Sequence, residues 1–194
     1  RGWTEDILNI KEVNTETGDI TFDRGCMFGL ENEERYWITN VREALDKPGE
    51  YYVDKAEKKV FYVPFEGETT ENTILFRGNL TVMISGNGAS DISFVGLSFS
   101  GTDYEILFGG ACPVQIPTDV IVFAHSSGIT VDGCVIHNAG LCGLGFHNSC
   151  SDIKITNNHV YQIGMSGICC SDCNWNSTLD FSENVTITNN LVEH

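Results

Sequence analysis

Between Ile129 and Cys170 the chain repeats itself at a fixed offset of 24 residues, and few folds can house such a pattern. In register, Ile129-Thr-Val131-Asp-Gly-Cys134-Val-Ile136-His-Asn-Ala-Gly140-Leu-Cys-Gly143-Leu144 lies over Ile153-Lys-Ile155-Thr-Asn-Asn158-His-Val160-Tyr-Gln-Ile-Gly164-Met-Ser-Gly167-Ile168. Shorter copies run from Ile92 to Phe99 and from Val185 to Val192. Apolar residues alternate with polar ones over three to five positions, and Gly or Asn breaks each run. A period of this length without a helical pattern specifies a solenoid, here an all-β parallel β-helix.

Stacked coils lie about 4.8 Å apart, so equivalent residues rest on one another and each column keeps one chemistry. Ile92, Ile129, Ile153 and Val185 form one apolar column, and Phe94, Val131, Ile155 and Ile187 the next. Phe99, Ile136, Val160 and Val192 form a third. Leu97, Cys134, Asn158 and Asn190 share a mixed column whose two Asn are expected to build an amide ladder between coils. Gly140 with Gly164 and Gly143 with Gly167 are expected at bends of positive φ. Insertions alone disturb the register: 37 residues separate Ile92 from Ile129, and 32 separate Ile153 from Val185.

Residues 73–194 hold the coils, and residues 1–72 read as a small antiparallel β cap region. Hairpins are expected around Gly18 and around the Asp54-Lys-Ala-Glu-Lys-Lys59 turn, with a short helix at Val41–Leu45 stopped by Pro48-Gly49. The aromatic strands of this region (Tyr36, Trp37, Tyr51, Tyr52, Phe61, Tyr62) are expected to serve as core and lid for the first coil. Because the last coil breaks off at His194, the β-helix is expected to be cut there or continued elsewhere.

Charge restricts the partners. The formal net charge is −16, and from Gly78 to His194 ten acidic residues face one cation, Lys154. Nucleic acid is excluded as a partner, since Lys and Arg must neutralise its phosphates. No apolar run is long enough to insert into a membrane. Eight Cys, with only one CxxC (Cys170, Cys173) and no second to answer it, favour disulfides over zinc. Cys150 and Cys173 each follow the last inward residue of a coil and are expected to bridge neighbouring loops. The sequons at Asn79, Asn176 and Asn184 fit N-glycosylation and therefore a secreted, extracellular protein.

The stretch Trp37-Ile-Thr-Asn-Val-Arg-Glu-Ala-Leu-Asp46-Lys-Pro-Gly-Glu-Tyr-Tyr-Val-Asp54, followed by Val60-Phe-Tyr-Val-Pro64, resembles the leading segment of secreted right-handed parallel β-helix proteins of the pectate-lyase-like superfamily. The resemblance implies a right-handed coil and a carbohydrate-active protein of glycoside-hydrolase-associated type, with a polysaccharide or glycan as partner. It transfers no catalytic residues: neither the Asp cluster of polygalacturonase-like members nor the Arg/Lys and Ca²⁺-ligand set of pectate lyases occurs here. No cofactor is expected, and Ca²⁺ has no motif to hold it.

Outward residues are those a long substrate would meet. Ser100, His137, Tyr161 and Glu193 share one outward column, with Ser98, Val135, His159 and Leu191 beside it. Glu193, His137 and Tyr161 are the candidate proton-transfer residues, and Asp132 is a candidate second carboxylate, because glycosidases use two. The insertion after Thr102 offers Asp103, Tyr104 and Glu105 for substrate binding, and Trp175 could stack on a sugar. The expected function is a glycoside hydrolase-like protein acting on a neutral polysaccharide. The rival is a non-catalytic structural or glycan-binding module, with coil ends that could stack into a homo-oligomer or filament.

Overall fold

The structure is a computed structural model that describes residues 7–26, 29, 35–103, 119–170 and 181–193. The chain divides into two compact units, Arg1–Gly29 with Arg77–His194, and Leu30–Phe76. The division cuts the expected 1–72 region near residue 30.

In the larger unit, strands β1 (Ile10–Asn14) and β2 (Asp19–Phe22) pair as the expected antiparallel hairpin. Its turn closes through Gly18 N–H to the Asn14 carbonyl at 2.8 Å, with Gly18 at φ +79°. In the smaller unit, β3 (Tyr51–Asp54) and β4 (Lys59–Tyr62) form the second hairpin. Where a short helix was expected there is only a 3-10 turn, Arg42–Ala44. Val41 supplies no side-chain cap, and the Glu50 carboxylate takes the Asp46 and Lys47 backbone N–H groups at 2.9 and 3.0 Å, bending the chain into a turn instead. These two backbone donors also hold the Glu50 carboxyl below its usual range. Tyr52 and Phe61 pack at 6.0 Å, Arg42 lies over the Phe61 ring at 4.1 Å, and Tyr62 donates to Glu68 at 2.7 Å. Tyr36, Trp37 and Tyr51 are exposed, so these aromatics do not form a core within their own unit.

The rest of the larger unit is wound. A first coil carries β5 (Ile84–Asn87), β6 (Ser93–Val95) and β7 (Ser98–Thr102). A second carries β8 (Asp119–Ala124), β9 (Thr130–Asp132) and β10 (Val135–Ala139). The third holds β11 (Cys142–His147), β12 (Ser151–Thr156) and β13 (His159–Ile163), and the fourth β14 (Ile168–Cys170), β15 (Glu183–Thr188) and β16 (Leu191–Glu193). Like strands of successive coils pair in parallel, giving three four-stranded sheets: β5-β8-β11-β14, β6-β9-β12-β15 and β7-β10-β13-β16. The chain is a parallel β-helix.

The pairing follows the columns read from the repeat. Ile155 faces Val131 on one side and Ile187 on the other. Ile136 lies between Phe99 and Val160, and Val160 continues to Val192. The β5-β8-β11-β14 sheet adds a column that the repeat marks less clearly, Ile84, Ile121, Leu144 and Ile168, with Phe123 and Phe146 stacked at 6.0 Å beside it. Ile129, Val131, Ile136, Leu144, Phe146, Ile153, Ile155 and Val160 are fully buried. Each such side chain contributes about 1.5–3 kcal/mol from burial, which makes the stacked interior the main source of stability.

The mixed column is the expected amide ladder. Buried Asn158 donates through Nδ2 to the Val131 carbonyl and to Asn190 Oδ1, both at 2.9 Å, and its Oδ1 accepts from Cys134 N–H at 2.8 Å. Asn190 Nδ2 reaches the Ile155 carbonyl at 2.8 Å. The Cys134 thiol reaches the Phe94 carbonyl at 3.5 Å in the same manner. Each ladder residue thus bonds back to the coil before it.

The preceding residue in every coil, Gly96, Gly133, Asn157 or Asn189, has φ between 56° and 65°, the left-handed region that Gly and Asn enter most readily. The expected bends are corrected here. None of Gly140, Gly143, Gly164 and Gly167 has positive φ. They are small because coils touch: a Cβ on Gly164 would lie 2.3 Å from the Gly140 carbonyl oxygen, and one on Gly143 would lie 2.5 Å from that of Gly167.

Candidate active site

The outward face of the β7-β10-β13-β16 sheet gathers three of the four expected catalytic residues. Alternation on β10 and β13 turns His137 and Tyr161 outward while Ile136 and Val160 fill the interior. Parallel register sets Ser100, His137, Tyr161 and Glu193 in one column. The Ser100 hydroxyl lies 3.4 Å from His137 Nδ1. The His137 and Tyr161 rings stack with centroids 4.9 Å apart and planes 6° from parallel.

His159 completes the group. Its ring packs against Tyr161 at 4.6 Å with a 35° tilt, and its Nε2 lies 2.8 Å from Glu193 Oε1. His159 faces Leu191 across the sheet and Tyr161 faces Glu193, so the His–Glu pair is a diagonal one. Diagonal neighbours on one sheet face are within reach of long side chains. The sequence carried the signal, since His159 and Tyr161 share an outward face at period two. Reading columns straight across coils placed His159 beside the site and left it out of the candidates.

Asp132 lies on another sheet, as the last residue of β9. Its Oδ1 accepts from Thr156 Oγ1 at 2.6 Å and from Asn157 Nδ2 at 2.7 Å. These donors, Thr156 first, hold the carboxyl below its ordinary value of 3.8. Asp132 therefore stays ionised and ties the corner of its coil to the next.

Asp103 is also tethered, with its N–H on the Leu80 carbonyl at 2.9 Å and its carboxylate 3.8 Å from exposed Arg77. Tyr104, Glu105, Trp175, Asn176 and Cys173 lie outside the described residues. Asn79 is exposed, as a glycan acceptor must be. Asn184, also exposed, donates through Nδ2 to Asp152 Oδ1. It belongs to an open depression lined by Gly128, Thr130, Asp152, Lys154, Asn184 and Thr186.

The Cys150 side chain is buried, with its sulfur 3.2 Å from the His147 carbonyl oxygen and 3.5 Å from that of Phe123. No disulfide joins two described cysteines. Among the described residues no three His, Cys, Asp or Glu side chains are grouped to hold a metal ion, and no helix is long and apolar enough to cross a membrane.

With the coils and the outward stripe defined, comparison places the chain in a family. Residues 65–194, more than half of the chain, match the model of the right-handed β-helix region, and the chain belongs to that family. The β-helix is accordingly right-handed. No curated protein and no solved structure matches the chain.

Proposed function

We propose that the protein is a secreted, carbohydrate-active β-helix protein of glycoside-hydrolase-like type, and that a neutral polysaccharide lies along the outward face of the β7-β10-β13-β16 sheet. The observation that carries this reading is the unbroken stripe from Ser100 through His137 and Tyr161 to the His159–Glu193 pair. It spans four coils, so its hydrogen-bonding groups recur along one direction, as the units of a polymer do. A carboxylate 2.8 Å from an imidazole is also a proton-exchanging pair. Glu193 is the group proposed to exchange a proton with the glycosidic oxygen or with water, and His159 the group that orients it. The excess of acidic over basic residues disfavours an anionic polymer.

A second reading, a glycan-binding module without turnover, is favoured by one observation. The Asp132 carboxylate is committed to Thr156 and Asn157, so this candidate does not serve Glu193 as the partner carboxylate that most glycosidases use.

One assay separates the readings. The protein is incubated with glucan, xylan, mannan and galactan while reducing ends and bound polymer are both measured. Hydrolysis predicts new reducing ends, with Glu193→Gln lowering the rate by about 100-fold or more. Binding without release of reducing ends supports the module, and neither binding nor release on any of the four polymers sinks the carbohydrate reading.

A further inference from the structure

The central ring of the stripe, Tyr161, is packed between two others. His137 and Tyr161 are 4.9 Å apart and 6° from parallel. That separation is close to the spacing of about 4.8 Å between paired strands. The two rings therefore stack one coil upon the next. His137 and Tyr161 each cover one face of the other, and the tilted His159 ring packs on Tyr161 at 4.6 Å. A sugar ring approaching from outside finds Tyr161 already stacked against its neighbours.

What it meets instead are the distal ring atoms, Tyr161 Oη and His137 Nε2. Both side chains are half-buried, and neither of these atoms has a hydrogen-bond partner among the described residues. The Nδ1 atom of His137 is already directed to Ser100. Tyr161 Oη can donate and accept, and His137 Nε2 can do one or the other according to its tautomer. Two such groups about one coil apart, with the His159–Glu193 pair alongside, match a row of sugar hydroxyls.

We infer that this face recognises its glycan edge-on, through hydrogen bonds to free hydroxyl groups, and that it selects polymers whose hydroxyls carry no ether or ester substituents. The inference rests on the carbohydrate reading above and specifies its substrate class. Methylating a hydroxyl removes its O–H donor and adds bulk, which leaves a ring-edge group unpaired in the complex. A site built to hydrogen-bond a hydroxyl discriminates strongly against ligands that cannot reproduce that bond. A site that stacked sugars on aromatic faces would tolerate the change far better, because the ring's apolar faces survive methylation.

The test measures dissociation constants of the intact protein for soluble glucan, xylan, mannan and galactan oligosaccharides, each unsubstituted and fully O-methylated. At least one unsubstituted series is expected to bind, and its methylated form to bind about 100-fold more weakly or worse. Tyr161→Phe keeps the ring stacked on His137 and removes only the hydroxyl. It is expected to weaken binding about tenfold, the size of one lost hydrogen bond. Equal affinity for the two forms, or an unchanged affinity in Tyr161→Phe, overturns edge-on recognition while the carbohydrate reading stands. Failure of every oligosaccharide to bind overturns both.

Discussion

Replacing Asn158 by alanine is expected to destabilise the protein by about 3 kcal/mol, the largest effect of any single change in the ladder. The side chain is 2% exposed and makes three hydrogen bonds: to the Val131 carbonyl, to Asn190 Oδ1 and from Cys134 N–H. Asn190 Oδ1 would keep a donor, because the Asn158 backbone N–H also reaches it at 2.9 Å. The Val131 carbonyl would keep the Thr156 N–H of the parallel ladder, and the Cys134 N–H would lose its acceptor. An orphaned buried N–H costs about 1–3 kcal/mol, and the missing amide leaves a small cavity besides. Asn190→Ala should cost less than half as much, because Asn190 is only partly buried. Equilibrium urea unfolding of the two variants measures the difference. A cost below about 1 kcal/mol for Asn158→Ala would show that water replaces the ladder without loss.

The second large effect separates two kinds of glycine. Gly164→Ala should cost about 3 kcal/mol, because the new Cβ would lie 2.3 Å from the Gly140 carbonyl oxygen in the neighbouring coil. The obstacle is backbone, so no rotamer change relieves it. Gly133→Asn should cost less than about 1 kcal/mol, although Gly133 has φ +60°. Nothing lies within 4 Å of a Cβ built there, and Asn157 and Asn189 already hold the equivalent corner of later coils at φ +57° and +56°. The same unfolding measurement reads both variants. Equal costs would mean that the contact between coils at Gly164 relaxes freely.

That contrast also marks the limit of what the sequence revealed. The columns were legible because a β-helix places residues one period apart in contact, so Ile129, Ile153 and Val185, or Val131, Ile155 and Ile187, declare themselves by position. The Asn158–Asn190 ladder was legible for the same reason, since two amides one circuit apart have few partners other than each other. The role of Gly164 was not. A glycine shows that a Cβ is unwelcome, and it does not say whether φ or a neighbouring carbonyl forbids it. The β5-β8-β11-β14 sheet was half-hidden because its strands flank the insertions that disturb the register, as β8 does after residue 118. In the site, straight-across columns found His137, Tyr161 and Glu193. The diagonal bond from His159 to Glu193 depends on which way a long carboxylate leans, and period alone does not carry that. Asp132 looked available because nothing in its own coil occupies it. Its donors, Thr156 and Asn157, come from the next coil.

The claim beneath the fold and the site alike is that residues one circuit apart are cross-strand neighbours in parallel register. Interstrand nuclear Overhauser effects in the isotope-labelled protein test it directly. The account predicts methyl contacts of Ile155 with both Val131 and Ile187, together with ring contacts between His137 and Tyr161. Contacts displaced by one residue, such as Lys154 against Val131, or no contact between these segments at all, would contradict it.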